Sequence, residues 1–158
     1  MKSIKDLLHE HPFFRGLPDE DLAVLAGCAW NESYAADQLL FEEGDEAKRF
    51  FLLREGAVAL ELHTRGRHTL QTLDAGDILG WAWLVPPHEC KFDARAVTDV
   101  RVTAFDGVCL RGKCDQDPRL GYELMKRFVA VMMRRFEETR LQLIDVYGGA
   151  APDTHVRP

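Results

Sequence analysis

The stretch Gly76-Asp-Ile-Leu-Gly-Trp-Ala-Trp-Leu-Val-Pro-Pro87 combines residue types that can do chemistry. Ala75-Gly76-Asp77 is a turn at the end of a strand. Gly80 opens a short apolar segment, Trp81 to Val85, and Pro86 and Pro87 forbid its extension as a helix. A glycine followed by one or two helical turns gathers backbone N–H groups around a concavity, with the positive end of a helix dipole behind them. Such a cradle holds an anion, a phosphate above all, without needing a lysine.

Other reactive types are scattered. His88, Glu89 and Cys90 are metal ligands by type, but a loop tripeptide cannot complete a tetrahedral site. Cys109 and Cys114 are a single pair with no second pair to match, so the cysteines read as reduced thiols and no metal is expected. His9 and His11 read as solvated. Neither a Ser–His–Asp set nor a glycine-rich phosphate loop of the nucleotide-hydrolase kind is visible, so no enzyme is expected.

The 158 residues suffice for one domain with a real core. A hydrophobic share of 46% and a charged share of 29% fit a globular domain. The net charge of −6 argues against nucleic acid as main partner. No run is long enough to span a membrane, and the first residues lack an apolar signal segment, so a cytoplasmic location is expected.

The elements that must position the cradle follow from periodicity. Ile4, Leu7 and Leu8 mark a short helix; Pro18-Asp-Glu-Asp21 starts a second, with Phe13, Phe14 and Leu17 as core anchors between them. From Trp30 to Phe105, short apolar runs alternate with glycine turns at Gly44, Gly56, Gly66 and Gly76, the pattern of an antiparallel sandwich or barrel. Phe92 to Val97 and Val100 to Phe105 are two further strands, and Asp106-Gly107 reads as another turn. From Asp117 to Tyr147 the period is helical, with Pro118 at the first position and Gly148-Gly149 as the stop. Met125, Val129, Met132, Phe136, Leu143 and Val146 form one apolar side of this helix, interrupted by Thr139. Leu124, Phe128, Val131, Leu141 and Ile144 form a second. A helix apolar on two sides needs two partners: its own domain and, by expectation, the same helix of a second copy. A helix lying in a wide groove of a monomer is the alternative. Arg127 and Arg134-Arg135 read as a solvated face.

Leu40-Phe-Glu-Glu-Gly-Asp45, Phe51-Leu-Leu-Arg-Glu-Gly-Ala-Val58, Leu73-Asp-Ala-Gly-Asp-Ile-Leu-Gly80 and Ala94-Arg-Ala-Val-Thr-Asp-Val100 together resemble the cyclic-nucleotide-binding domain family, and most of all the sensor domains of catabolite-activator-type regulators. Phe13-Phe-Arg-Gly-Leu-Pro18 is similar to that family's helical lead-in. The resemblance implies a mainly β fold, a double-stranded β-helix or jelly roll with flanking helices. It implies a phosphate-binding cassette between two strands and a long C-terminal dimerisation helix. The expected organisation is N-terminal helices over 1–29, the β-roll over 30–112, the long helix over 117–147, and a disordered tail over 148–158. The chain ends eleven residues after Tyr147, so no helix-turn-helix module and no direct DNA binding are expected.

Against the family's pattern the cassette departs at its charged positions. The glutamate that grips the ribose is matched here by Trp81, and the arginine that pairs with the cyclic phosphate by Cys90. Lys91 and Phe92 stand where a small hydroxyl residue and alanine are usual, and Thr139 matches the helix threonine that meets the purine. Lys91 and Arg95 are candidate substitute cations; Asp93 reads as a strand-end surface charge. Expected ligand-binding residues are Gly80, Trp81, Ala82, Trp83, Leu84, Lys91, Phe92, Arg95 and Thr139. The reading that follows is a regulatory sensor of a small molecule, a cyclic nucleotide or another small anionic or aromatic ligand, signalling through its last helix. A ligandless dimeric module that meets a regulatory partner protein with its pocket collapsed is the alternative. A haem or metal sensor is a third, disfavoured by where the cysteines and histidines lie.

Overall fold

A computed structural model describes residues 1–148. Two helices, α1 (Ile4–Glu10) and α2 (Asp19–Gly27), lead in, joined by a 3-10 turn over Pro12–Phe14. Eight strands follow: β1 (Ala29–Tyr34), β2 (Leu39–Phe41), β3 (Arg49–Glu55), β4 (Val58–His63), β5 (Arg67–Leu73), β6 (Ile78–Leu79), β7 (Asp93–Ala96) and β8 (Val100–Asp106). Helices α3 (Gly107–Gln116) and α4 (Pro118–Gly148) complete the described chain. The expected tail lies, beyond Gly148, outside the described residues. Among those residues no helix is long and apolar enough to cross a membrane.

The strands form two four-stranded antiparallel sheets, ordered β1-β8-β3-β6 and β2-β7-β4-β5. Strand β3 shows why its apolar run is nearly continuous. Phe50 and Leu52 face the helices, whereas Phe51 and Leu53 face the space between the sheets. Both faces are covered, so both sets of alternating positions are apolar. At the Gly56 turn φ is +90° and an added Cβ would lie 2.3 Å from the Asp99 carbonyl oxygen, so only glycine fits.

The helical side of the core is aromatic. Phe50 stacks on Phe105 with centroids 4.2 Å apart and on Trp83 at 5.1 Å, and Phe128 of α4 meets Phe50 edge to face at 5.2 Å. This packing fixes α4 against the first sheet through Leu120, Leu124, Phe128 and Val131, all buried. Near the start of α4, Arg119 holds the buried Asp21 of α2 in a bidentate pair at 2.7 and 3.0 Å.

Helix α3 corrects the turn read at Asp106-Gly107 and the strand region drawn to residue 112. Asp106 accepts the Cys109 N–H at 3.0 Å as an N-cap, and Leu110 and Cys114 turn inward. With two glycines and three charged residues over Gly107–Gln116, its apolar period is too faint to read from sequence.

Candidate functional site

The cassette begins where β6 pairs with β3 (Phe51↔Leu79, Leu52↔Ile78). Gly80 turns the chain at φ +88°, and an added Cβ would stand 3.3 Å from the Arg49 carbonyl oxygen. The expected helical turns reduce to one: the Leu84 N–H bonds back to the Trp81 carbonyl at 3.1 Å, and no helix follows. The far end of the loop is tied to the turn after β2. Ala47 N–H donates to the His88 carbonyl at 2.7 Å, Gly44 N–H to the Cys90 carbonyl at 2.8 Å, and Cys90 N–H to the Asp45 carbonyl at 2.9 Å. His88 and Cys90 thus serve the loop through their backbones. Burial, with Asp45 and Glu89 nearby, pushes the Cys90 thiol up to about 11.

The two tryptophans part company in this turn. Trp83 is fully buried among Phe50 and Phe128 and belongs to the core. Trp81 turns the other way and meets Phe92 at the head of β7, with centroids 5.4 Å apart. Phe92 in turn lies 5.9 Å from Phe41. The space enclosed by Phe41, Arg49, Gly80, Trp81, Cys90 and Phe92 is about 20 Å³. That is room for about one water molecule.

Larger cavities flank this point. One, of about 220 Å³, lies between Trp81 and Phe92 on one side and Met132, Arg135, Phe136 and Thr139 of α4 on the other, with Leu60, Leu70 and Gln71 of the second sheet closing it. A second, of about 200 Å³, lies between Ala82, Leu84, Lys91 and the α4 residues Met125, Val129 and Met132. The structure therefore brings Gly80, Trp81, Ala82, Lys91 and Phe92 together around the small space; Trp81 also lines both larger cavities, with Phe92 and Thr139 at one and Ala82, Leu84 and Lys91 at the other.

Arg95 is engaged elsewhere. Its Nε donates to Glu61 at 2.9 Å and its Nη1 to the Asp37 carbonyl at 2.8 Å, so it neutralises a carboxylate that is only 3% exposed. Asp93 is likewise no surface charge: it is buried, accepts the Glu43 N–H at 2.7 Å and pairs with His63 at 2.9 Å. Lys91 is exposed at the cavity rim.

The arginines read as a solvated face are corrected in two of three cases. Arg127 bonds Glu123 and the Arg15 carbonyl, each at 2.7 Å. Arg135 is buried, 7% exposed. It continues the inward stripe Leu120, Leu124, Phe128, Val131, four residues past the last of these. Its Nη2 donates to the Ile78 carbonyl, and the guanidinium carbon lies 5.5 Å from the centroid of the Trp81 ring. Its Nη1 is buried without a hydrogen-bond partner. Burial lowers its pKa to about 10. The phase of the stripe was legible in the sequence; reading Arg134-Arg135 as a pair concealed it. Thr139 closes the same turn, donating to the Arg135 carbonyl at 2.9 Å.

Residues 31–117 match the family model of the cyclic nucleotide-binding domain. A solved protein of Geobacter metallireducens GS-15, assigned to the cyclic nucleotide-binding proteins, is 30% identical, covers 86% of this chain and 99% of its own, and superposes with a TM-score of 0.78. The cGMP-dependent protein kinase egl-4 of Caenorhabditis briggsae is 25% identical over 65% of the chain, and Glutaminase 1 of Bradyrhizobium diazoefficiens is 29% identical over 81% of it. The chain spans only 13% and 20% of the lengths of these last two proteins. The two-sheet roll, the turn at Gly80 and the matched segment together establish that this chain belongs to the cyclic nucleotide-binding domain family.

Proposed function

We propose that this chain is a non-catalytic regulatory domain, located in the cytoplasm, that senses a small molecule other than a conventional cyclic nucleotide and signals through α4. The observation that carries this reading is the 20 Å³ left inside the cassette. On this reading Trp81 and Phe92 take up the room a ribose phosphate would need, and although Arg49 and Lys91 line the space, Trp81 and Cys90 offer no charge at the two positions the family uses. Missing one charge-assisted phosphate contact alone costs about 1.5–3 kcal/mol. The neighbouring 220 Å³ cavity is walled jointly by the roll and α4, so an occupant would bias how the helix packs.

Dimerisation through α4 belongs to the same reading. Met125, Val129, Met132 and Phe136 follow one another at three- and four-residue steps and are 39–68% exposed, an apolar stripe that a second copy would cover. The filled cassette favours a second reading, a ligandless dimeric module that presents its surface to a regulatory protein.

Thermal denaturation with cAMP, cGMP and a set of small aromatic and carboxylic compounds separates the two. The sensing reading expects no midpoint rise with the cyclic nucleotides and a concentration-dependent rise with at least one of the others. No rise with any compound leaves the ligandless module.

A further inference from the structure

We propose that the cavity beneath α4 binds a compact monoanion with an apolar, ring-sized body, an aryl-substituted carboxylate, and that Arg135 is the cation that holds it. This rests on the sensing reading above.

Arg135 is the reason. A guanidinium buried to this degree is ordinarily paired with a carboxylate, because a charge taken from water needs a counter-charge. Arg135 has no ion pair among the described residues, and Nη1 has no hydrogen-bond partner at all. Its Nη2 spends its hydrogen bond on a backbone carbonyl, Ile78, which orients the group without neutralising it. The guanidinium carbon also stands within cation–π range of the Trp81 ring, at 5.5 Å from its centroid. What remains is a cationic side chain in the wall of a cavity whose Nη1, buried behind that wall, has no partner, a chemistry suited to a carboxylate towards which Nη1 would turn.

The other walls define the ligand's body. Leu60, Trp81, Phe92, Met132 and Phe136 present hydrocarbon and ring surface. The two remaining polar groups are already engaged: the Gln71 amide donates to Glu138, and the Thr139 hydroxyl to the Arg135 carbonyl. Recognition therefore reduces to one charged head and an apolar remainder. At about 220 Å³ the cavity exceeds the roughly 150 Å³ that accepts a benzene ring and falls below the roughly 300 Å³ where pockets for larger ligands begin. Charge sets the valence. Arg134 and Arg135 are set against Asp77 and Glu138, so the charges around this point already balance, and every further negative charge on a ligand meets the repulsion of the two carboxylates. A carboxylate fits this balance better than a phosphate dianion. Since Arg135 rides on α4 and Trp81 on the cassette turn, a bound carboxylate would tie helix to roll at this point.

The test titrates phenylacetate, its neutral isostere phenylacetamide, and inorganic phosphate into the full chain and into Arg135→Met and Arg135→Lys. Thermal midpoint and tryptophan fluorescence are the readouts. Phenylacetate should raise the midpoint, with phenylacetamide and phosphate at least about tenfold weaker. Arg135→Met should lose that preference while keeping the far-ultraviolet spectrum of the parent; Arg135→Lys should keep part of it. Should Arg135→Met fail to fold, a crystal structure of the parent with phenylacetate decides, the carboxylate lying on Arg135 or elsewhere. Equal binding of acid and amide, an undiminished preference in Arg135→Met, or an ordered water on Nη1 with no carboxylate affinity overturns the assignment. A neutral compound that binds where phenylacetate does not would overturn it and leave the sensing reading standing. A chain indifferent to these and to every compound in the wider set loses both.

Discussion

The Trp81 and Phe92 rings meet edge to face with centroids 5.4 Å apart, beside a space of about 20 Å³ under Gly80. One ring comes from the turn after Gly80 and the other from the residue just before β7, so the contact narrows this space from both sides. In the proposed reading it joins a loss of space to the loss of charge at positions 81 and 90.

The two losses should be reversible together and not singly. The triple variant Trp81→Glu, Cys90→Arg, Phe92→Ala restores the acid, the base and the volume. It should acquire a cAMP-dependent rise in thermal midpoint that none of the three single variants shows, since each charge-assisted contact contributes only about 1.5–3 kcal/mol. A single variant that binds cAMP as well as the triple would show that only one of these features matters.

Arg95 should behave as a structural residue. Arg95→Ala leaves the buried Glu61 with Arg67 at 3.6 Å as its remaining counter-charge. Unfolding in urea should show a loss of about 2–4 kcal/mol. Unchanged stability with altered ligand response would place Arg95 in the binding site instead.

His11 should impose a pH dependence on stability. Its Nδ1 accepts the Phe13 N–H at 3.1 Å and its Nε2 faces the Gly76 carbonyl at 2.7 Å, so the neutral ring with the proton on Nε2 satisfies both. Burial lowers its pKa below the usual 6.5, against the raising effects of the Gly76 bond and Asp77. The unfolded chain then binds more protons than the folded one between that lowered value and about 6.5, so stability rises with pH across this window. His11→Gln should flatten the rise in urea midpoint between about pH 5.5 and 7. An identical slope in the variant would assign the titration to other groups.

The outer stripe of α4 should mediate self-association. Phe136→Glu places a charge at a position 68% exposed in the single chain, so the fold should tolerate it, while sedimentation should show the dimer weakened at least about tenfold. A parent chain that sediments as a monomer at all concentrations removes the dimer from the account.

Much of this was legible in the sequence, for reasons that lie in local geometry. Turns such as Gly56 demand a residue without Cβ, and the apolar run Arg49–Leu53 reads as a strand; that both its faces are covered shows only once the helices are packed on it. Chain direction inside the cassette was not legible. Trp81 and Trp83 are two residues apart and look equivalent, yet the single turn after Gly80 sends one to the cavity and the other into the core. Arg135 escaped because charge normally reports exposure; its burial shows only when the inward stripe of α4 is counted onward from Val131. Helix α3 escaped because it carries little apolar period, its position being set by the Asp106 cap and by Leu110 and Cys114.

The account turns on whether the cassette is closed to the nucleotide for which its fold is named. Isothermal titration of the unaltered chain with cAMP measures this directly. We predict no saturable heat up to about 1 mM nucleotide. Stoichiometric binding with a dissociation constant in the micromolar range would show that Trp81 and Phe92 yield the site, and would contradict the account.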